Sequence, residues 1–159
     1  MPNVAYMLAN GLLYGSLGIW VGCMVMVAAG ARTVFRILPD RTQAGNVVGG
    51  WLDAYDRIGI VCALAAAGTA LWRSRMVEVH LWSGPWRPVM AIAATRYALL
   101  ALMILAHLYA AGSVHPAIRR LRGLPSGDPA RAAFDGLHAR SVGILMANLV
   151  AGLVVIFLS

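Results

Sequence analysis

The hydrophobic positions of this chain run in long unbroken stretches, not in the alternation of half-buried strands. From Val4 to Ala31 there is no charged side chain, and the first to appear is Arg32. A helix needs about 20 apolar residues to cross the hydrocarbon core of a bilayer, so this stretch is long enough to span with some tilt. Three further stretches have the same character, at about 58–72, 89–112 and 141–158. Between the first two, Pro39-Asp40 breaks one helix and starts another. There Ala44, Val47, Val48, Trp51, Leu52 and Tyr55 recur at i, i+3, i+4, i+7, i+8 and i+11. This amphipathic stripe is too short to span. It predicts an interfacial helix over about 42–55, with Trp51 and Tyr55 near headgroup level. On the opposite side Trp72, Trp82 and Trp86 predict an aromatic belt. Ahead of the last stretch, Asp128-Pro129 suits a capping residue followed by the first helical position, so that helix is predicted to begin near Pro129. The predicted fold is all-α: a single domain, an integral membrane four-helix bundle.

Composition agrees. Charged residues make up 12% of the 159, about half the share usual in soluble domains, and the deficit lies in the long stretches. All 13 basic residues are Arg. Nine of them (Arg32, Arg36, Arg41, Arg57, Arg119, Arg120, Arg122, Arg131 and Arg140) fall in the first-to-second and third-to-fourth connections. Arg73, Arg75 and Arg87 lie on the other side, with Arg96 just inside the third span. The bias of arginine toward the cytoplasmic side predicts both termini outside the cytoplasm, in a bacterial inner membrane. The net charge of +7 does not indicate nucleic-acid binding, because the arginines flank the spans instead of forming a basic patch. Cys23 and Cys62 lie inside spans and form no CxxC motif or disulfide framework. Met1-Pro2-Asn3 carries no basic side chain, so the first span is read as retained, not as a cleaved signal.

Small residues recur at helical spacing. Gly11, Gly15, Gly18 and Gly22 share one face of the first span, and Gly143, Ala147 and Ala151 share one of the fourth. Such faces let another helix backbone approach closely. Their number exceeds what one small bundle needs, which predicts other membrane subunits or self-association besides lipid contact.

Three segments carry a resemblance to a known family. They are Trp20-Val21-Gly22 with Phe35-Arg36-Ile37-Leu38-Pro39, then Ala44-Gly45 through Val48-Gly49, then Phe134-Asp135-Gly136-Leu137-His138-Ala139-Arg140-Ser141 followed by Asn148-Leu149. In order and spacing the chain resembles the TMEM205-like (DUF4149) family of small membrane proteins, and more distantly the membrane domain of copper-resistance D proteins. The resemblance implies a four-helix membrane bundle associated with metal or drug resistance. His107 departs from the family pattern.

The candidate chemistry is sparse. Arg96 and His107 are eleven residues apart in one span, which puts them on nearly the same face, about 16 Å apart along the axis. Ionisable groups at such depth are candidate functional residues, and Asn148 is a further intramembrane polar group. Cys23, Cys62, His107 and Met146 lie at matching depth, and thiolate, thioether and imidazole suit a copper ion. His107, His115 and His138 could instead ligate haem or a related tetrapyrrole. Against both stands the reading of these residues as packing and single interhelical hydrogen bonds. His80 and Glu78 belong to the outer loop, and Asp53 and Asp56 beside Arg57 read as a solvated edge. No catalytic constellation stands out. The expected function is that of a non-enzymatic accessory or structural membrane subunit; the alternatives are copper or other metal binding or transport, and a haem- or chlorophyll-ligating redox subunit.

Overall fold

The structure is a computed structural model and describes residues 4–76, 88–122 and 128–158. Trp82 and Trp86 of the expected belt, His80 and Glu78 lie outside the described residues. The helices are α1 (Val4–Ile37), α2 (Arg41–Met76), α3 (Pro88–Tyr109), a π-helical turn (Ala110–Val114), α4 (His115–Leu121) and α5 (Arg131–Phe157). α3, the π turn and α4 form one continuous rod. Among the described residues four helical stretches are long and apolar enough to cross a membrane: Val4–Ile37, Arg41–Met76, Met90–Leu121 and Arg131–Phe157. The chain is an all-α integral membrane four-helix bundle.

Local chemistry sets the helix ends. Asp40 Oδ1 accepts from the backbone N–H of Thr42 at 2.7 Å and so caps α2. Asp128 Oδ1 accepts from Ala130 N at 2.8 Å just ahead of α5. Asp40 satisfies a donor that a helix start leaves open, whereas the Asp128 bond closes a turn and α5 begins only at Arg131, after Ala130 and without a side-chain cap.

The structure departs from expectation at residues 42–55, which are not set apart as an interfacial helix. They are the first half of α2, which runs unbroken from Arg41 to Met76. The physical reason is the junction itself: Tyr55-Asp56-Arg57-Ile58 contains no Pro or Gly to interrupt the backbone ladder.

The three-residue connection 38–40 folds α1 and α2 into an antiparallel hairpin, the most extensive pairing among the described residues. α5 packs along α3, and the contacts α1 with α5 and α2 with α3 close the bundle. The core between them is built from Leu13, Leu17, Trp20, Met24, Tyr55, Cys62, Ala66, Leu100, Met103 and Val155. Glycines permit the close approaches this needs, Gly30 and Gly49 near the arginine-rich end and Gly59 and Gly152 deeper in the bundle. A Cβ at Gly59 on α2 would collide with the His107 imidazole, and one at Gly152 on α5 would lie 2.7 Å from Val21 Cγ2.

The π turn has a cause in the sequence. Pro116 has no N–H to give to the carbonyl four residues back, and its ring crowds that carbonyl. The helix answers by widening one turn, with the His115 N–H bonded to Ala110 O five residues earlier. Such turns frequently mark functional sites.

Candidate functional site

One group of buried polar side chains meets toward the arginine-rich end of the bundle. Asp56 comes from α2, His107 from α3, His115 from the first position of α4 and Ser141 from α5, and all four are buried. In an unbroken α-helix, eight residues would place His115 roughly 80° around the axis from His107. The wider π turn removes part of that rotation, and both imidazoles point into the core.

His115 Nδ1 lies 2.8 and 2.9 Å from the two carboxylate oxygens of Asp56. Its Nε2 lies 3.0 Å from Ser141 Oγ. A carboxylate can only accept, so Nδ1 carries a proton and donates it. Nε2 then accepts from the Ser141 hydroxyl when the ring is neutral and donates to it when the ring is protonated. His107 Nε2 is 3.3 Å from the backbone oxygen of Asp56. That oxygen is also an acceptor, so Nε2 bears hydrogen and Nδ1 is left as a bare acceptor. Nδ1 is fully buried without a protein partner. The Trp20 and Tyr55 rings stand edge-on to the His107 ring at centroid distances of 5.3 and 5.0 Å. A cavity of about 10 Å³ is bordered by Tyr55, His107, His115 and Ser141, together with Leu52, Ala110, Ile144 and Leu145. That is close to the smallest space that admits one water molecule.

The order Asp56, His115, Ser141 is that of the relay in serine hydrolases. Ser141, however, lies inside the continuous helix α5, whose backbone N–H groups are committed to carbonyls and offer no oxyanion donors. The adjoining cavity has no room for a substrate. The arrangement can hold or pass a proton and fix the register of three helices.

The other candidates are dispersed. Cys23 and Cys62 join the hydrophobic core, while Met146 is 40% exposed on the outer surface. Among the described residues no three His, Cys, Asp or Glu side chains converge as for a metal ion. His138 is exposed and stacks on Phe134 at 6.1 Å, so it does not face His107 or His115. Arg96 is buried toward the opposite end, its guanidinium 4.6 Å from the Tyr97 ring centroid. There also Arg73 Nη1 donates to Asn10 Oδ1 at 2.9 Å. Asn148 Nδ2 donates to the Met103 carbonyl at 3.3 Å and ties α5 to α3.

The small-residue face of α1 looks outward. Gly11, Gly15, Gly18 and Gly22 are exposed, and a Cβ at any of them would meet nothing within 4 Å. Leu8, Leu12, Ile19 and Met26 flank this ribbon and are at least half exposed. Gly143 on α5 is likewise open, whereas Ala151 packs against the core.

Sequence reasoning missed Asp56, Ser141, Trp20 and Tyr55. Asp56 in particular is no solvated edge; it is buried and bonded to His115. The signal was available: Leu52, Tyr55, Asp56, Gly59, Ala63 and Ala66 follow the i, i+3, i+4 rhythm of one helix face, provided the helix is continuous.

A family model described as a domain of unknown function (DUF4149) matches residues 15–124. No curated protein and no solved structure matches the chain.

Proposed function

The chain belongs to the DUF4149 family, and within it we propose that this protein is a non-enzymatic accessory subunit that packs the outer face of α1 against a helix of another membrane protein chain. One observation carries this reading: the four glycines Gly11, Gly15, Gly18 and Gly22 form an open ribbon on the outside of a bundle whose own close approaches use other glycines, Gly30, Gly49, Gly59 and Gly152. Within lipid there is little hydrophobic gain when helices meet, so association relies on close packing and interhelical hydrogen bonds, which small residues permit. The ribbon is rimmed by Leu8, Leu12, Ile19 and Met26, side chains that would close around an incoming backbone. The nine arginines of the 32–57 and 119–140 regions support a cytoplasmic location for that end and an opposite location for the termini.

The test uses the affinity-tagged full chain extracted in mild detergent from its native membrane. A stoichiometric chain, either a second copy or a different subunit, is expected to co-purify. Gly15→Leu with Gly18→Leu is expected to leave the helical spectrum unchanged, because nothing in the bundle occupies that space, and to reduce the co-purifying chain at least tenfold. A wild-type protein that is a lone monomer, or a double variant that retains its partner, would overturn the reading.

A further inference from the structure

We propose that Asp56, His115, Ser141 and His107 form a single proton-holding site, in which one proton is shared between the two buried imidazoles through the Ser141 hydroxyl and a water molecule in the cavity they border. This goes beyond the packing role, which rests on the outer face of α1 and does not require it.

The geometry supplies each part. Asp56 is the fixed counter-ion, receiving the His115 Nδ1–H at 2.8 and 2.9 Å. Ser141 Oγ, 3.0 Å from His115 Nε2, is the amphoteric link. His107 presents a buried, unpartnered Nδ1, the group best suited to receive a proton from the cavity side. The cavity of about 10 Å³ touches Tyr55, His107, His115 and Ser141, and a buried water needs two to four such polar partners. The transfer balances without any other reagent. The His115 imidazolium releases its Nε2 proton to Ser141 Oγ while the Ser141 hydroxyl proton passes to the water. The water gives one of its protons to His107 Nδ1. His115 is then neutral, His107 is the cation, and the hydroxyl and the water are restored.

The groups facing the site limit what it can do. α2 contributes Tyr55 and Asp56, α3 contributes His107 and α4 contributes His115, while α1 adds the neutral Trp20 ring and the Cys23 thiol and α5 adds Ser141. Arg119 and Arg140 of the same end bond instead to Asp53 and to the Tyr109 hydroxyl, at 2.6 and 3.1 Å. Past His107 the core continues with Leu17, Leu13, Leu100, Met103 and Ala66. The hydroxyls of Ser16 and Thr69 are spent on carbonyls of their own helices, Leu13 O and Ala65 O. Among the described residues the relay therefore ends at His107, so the site stores a proton and does not conduct one across the membrane.

The test is nitrogen NMR of the full chain, labelled at its histidine rings, in lipid nanodiscs over a range of pH. His107 and His115 are expected to titrate together, with Nδ1 of His107 changing from bare to protonated in the same steps that His115 reports, as interacting groups do. In Ser141→Ala the link is broken, and His107 Nδ1 is expected no longer to change in the steps that His115 reports. Independent titration in the wild-type protein, or a His107 Nδ1 that stays bare while His115 titrates, would overturn the proposal. The wild-type measurement decides the matter even if the variant does not fold.

Discussion

Replacing Gly59 by alanine tests the central packing claim with a single methyl group. The added Cβ would sit 2.5 Å from His107 Cε1, in collision with Nε2, and 3.1 Å from Trp20 Nε1. Carbon atoms in good contact are about 3.5–4.0 Å apart, so something must move by roughly 1 Å. The imidazole cannot swing aside freely, because Trp20 and Tyr55 hold it edge-on from two sides. Either α2 and α3 part, or the ring tilts and loses its bond to the Asp56 carbonyl. Overpacking of this kind costs about 1–3 kcal/mol, and a lost hydrogen bond adds about 1 kcal/mol. Gly18→Ala is the control: the same chemical change on α1 meets nothing within 4 Å, and exchanging Gly for Ala in a helix is favourable by up to about 1 kcal/mol. The propensity gain is common to both helical positions, so unfolding in mixed micelles, followed by tryptophan fluorescence and circular dichroism, should separate the two variants by about 1–4 kcal/mol. In a His107→Ala background the cost of Gly59→Ala should largely vanish, since the double-mutant cycle removes the atoms it strikes. Equal stability of Gly59→Ala and Gly18→Ala, or a cost that persists without the imidazole, would refute the placement of His107 against Gly59.

Other substitutions divide the bundle into parts that matter and parts that do not. Pro116→Ala restores the missing N–H, so the π turn should revert to α-helix and rotate His115 away from Asp56; a changed His115 ring-nitrogen spectrum in the variant would report it. Gly152→Ala should be tolerated within about 1–3 kcal/mol, because the atoms it meets are the ends of Val21 and Met103, whereas Gly152→Leu should fail to give a folded protein by circular dichroism and gel filtration. Asn148→Leu removes one interhelical bond and should cost about 0.6 kcal/mol in unfolding measurements. The Asp53–Arg119 pair, at 2.6 Å but about 40% exposed on both sides, should show a coupling below about 1 kcal/mol in a double-mutant cycle.

The four spans were legible because each is a long apolar run, and length alone decides that matter in a bilayer. The helix start at Asp40 was legible because a capping acceptor beside proline is a local signal, whereas at Asp128-Pro129 the same signal makes a turn and the helix begins later, at Arg131. The inward direction of Arg96 and His107 follows from their spacing. The continuity of α2 was not legible in the hydrophobic pattern, because the cluster Asp53-Ala54-Tyr55-Asp56-Arg57 interrupts it while leaving the backbone free to continue. Once α2 was divided there, Asp56 could only be read as a surface residue, and its partners went unnoticed. The π turn was a second obstacle. Pro116 is visible in the sequence, but the rotation that brings His115 toward the face of His107 depends on how the helix relieves the proline. Ser141 had no reason to be singled out until His115 was placed opposite it.

Stability alone does not account for the buried polar network. A carboxylate and an imidazole removed from water lose hydration that their mutual attraction only partly returns, and apolar residues of similar volume are often as stable or more so. The surrounding bundle shows what that alternative looks like: one helical turn or more toward the termini, the same interior is filled by Leu13, Leu17, Leu100 and Met103. What the network adds is register. Asp56 on α2 meets His115 on α4, and His115 meets Ser141 on α5, so sliding any one of these helices by a single turn would leave a charge or a ring nitrogen buried without its partner. Meanwhile the outward ribbon of α1 uses no polar group at all. The interior fixes which helices meet and in what alignment, and it leaves the glycine face of α1 free for contacts outside the chain.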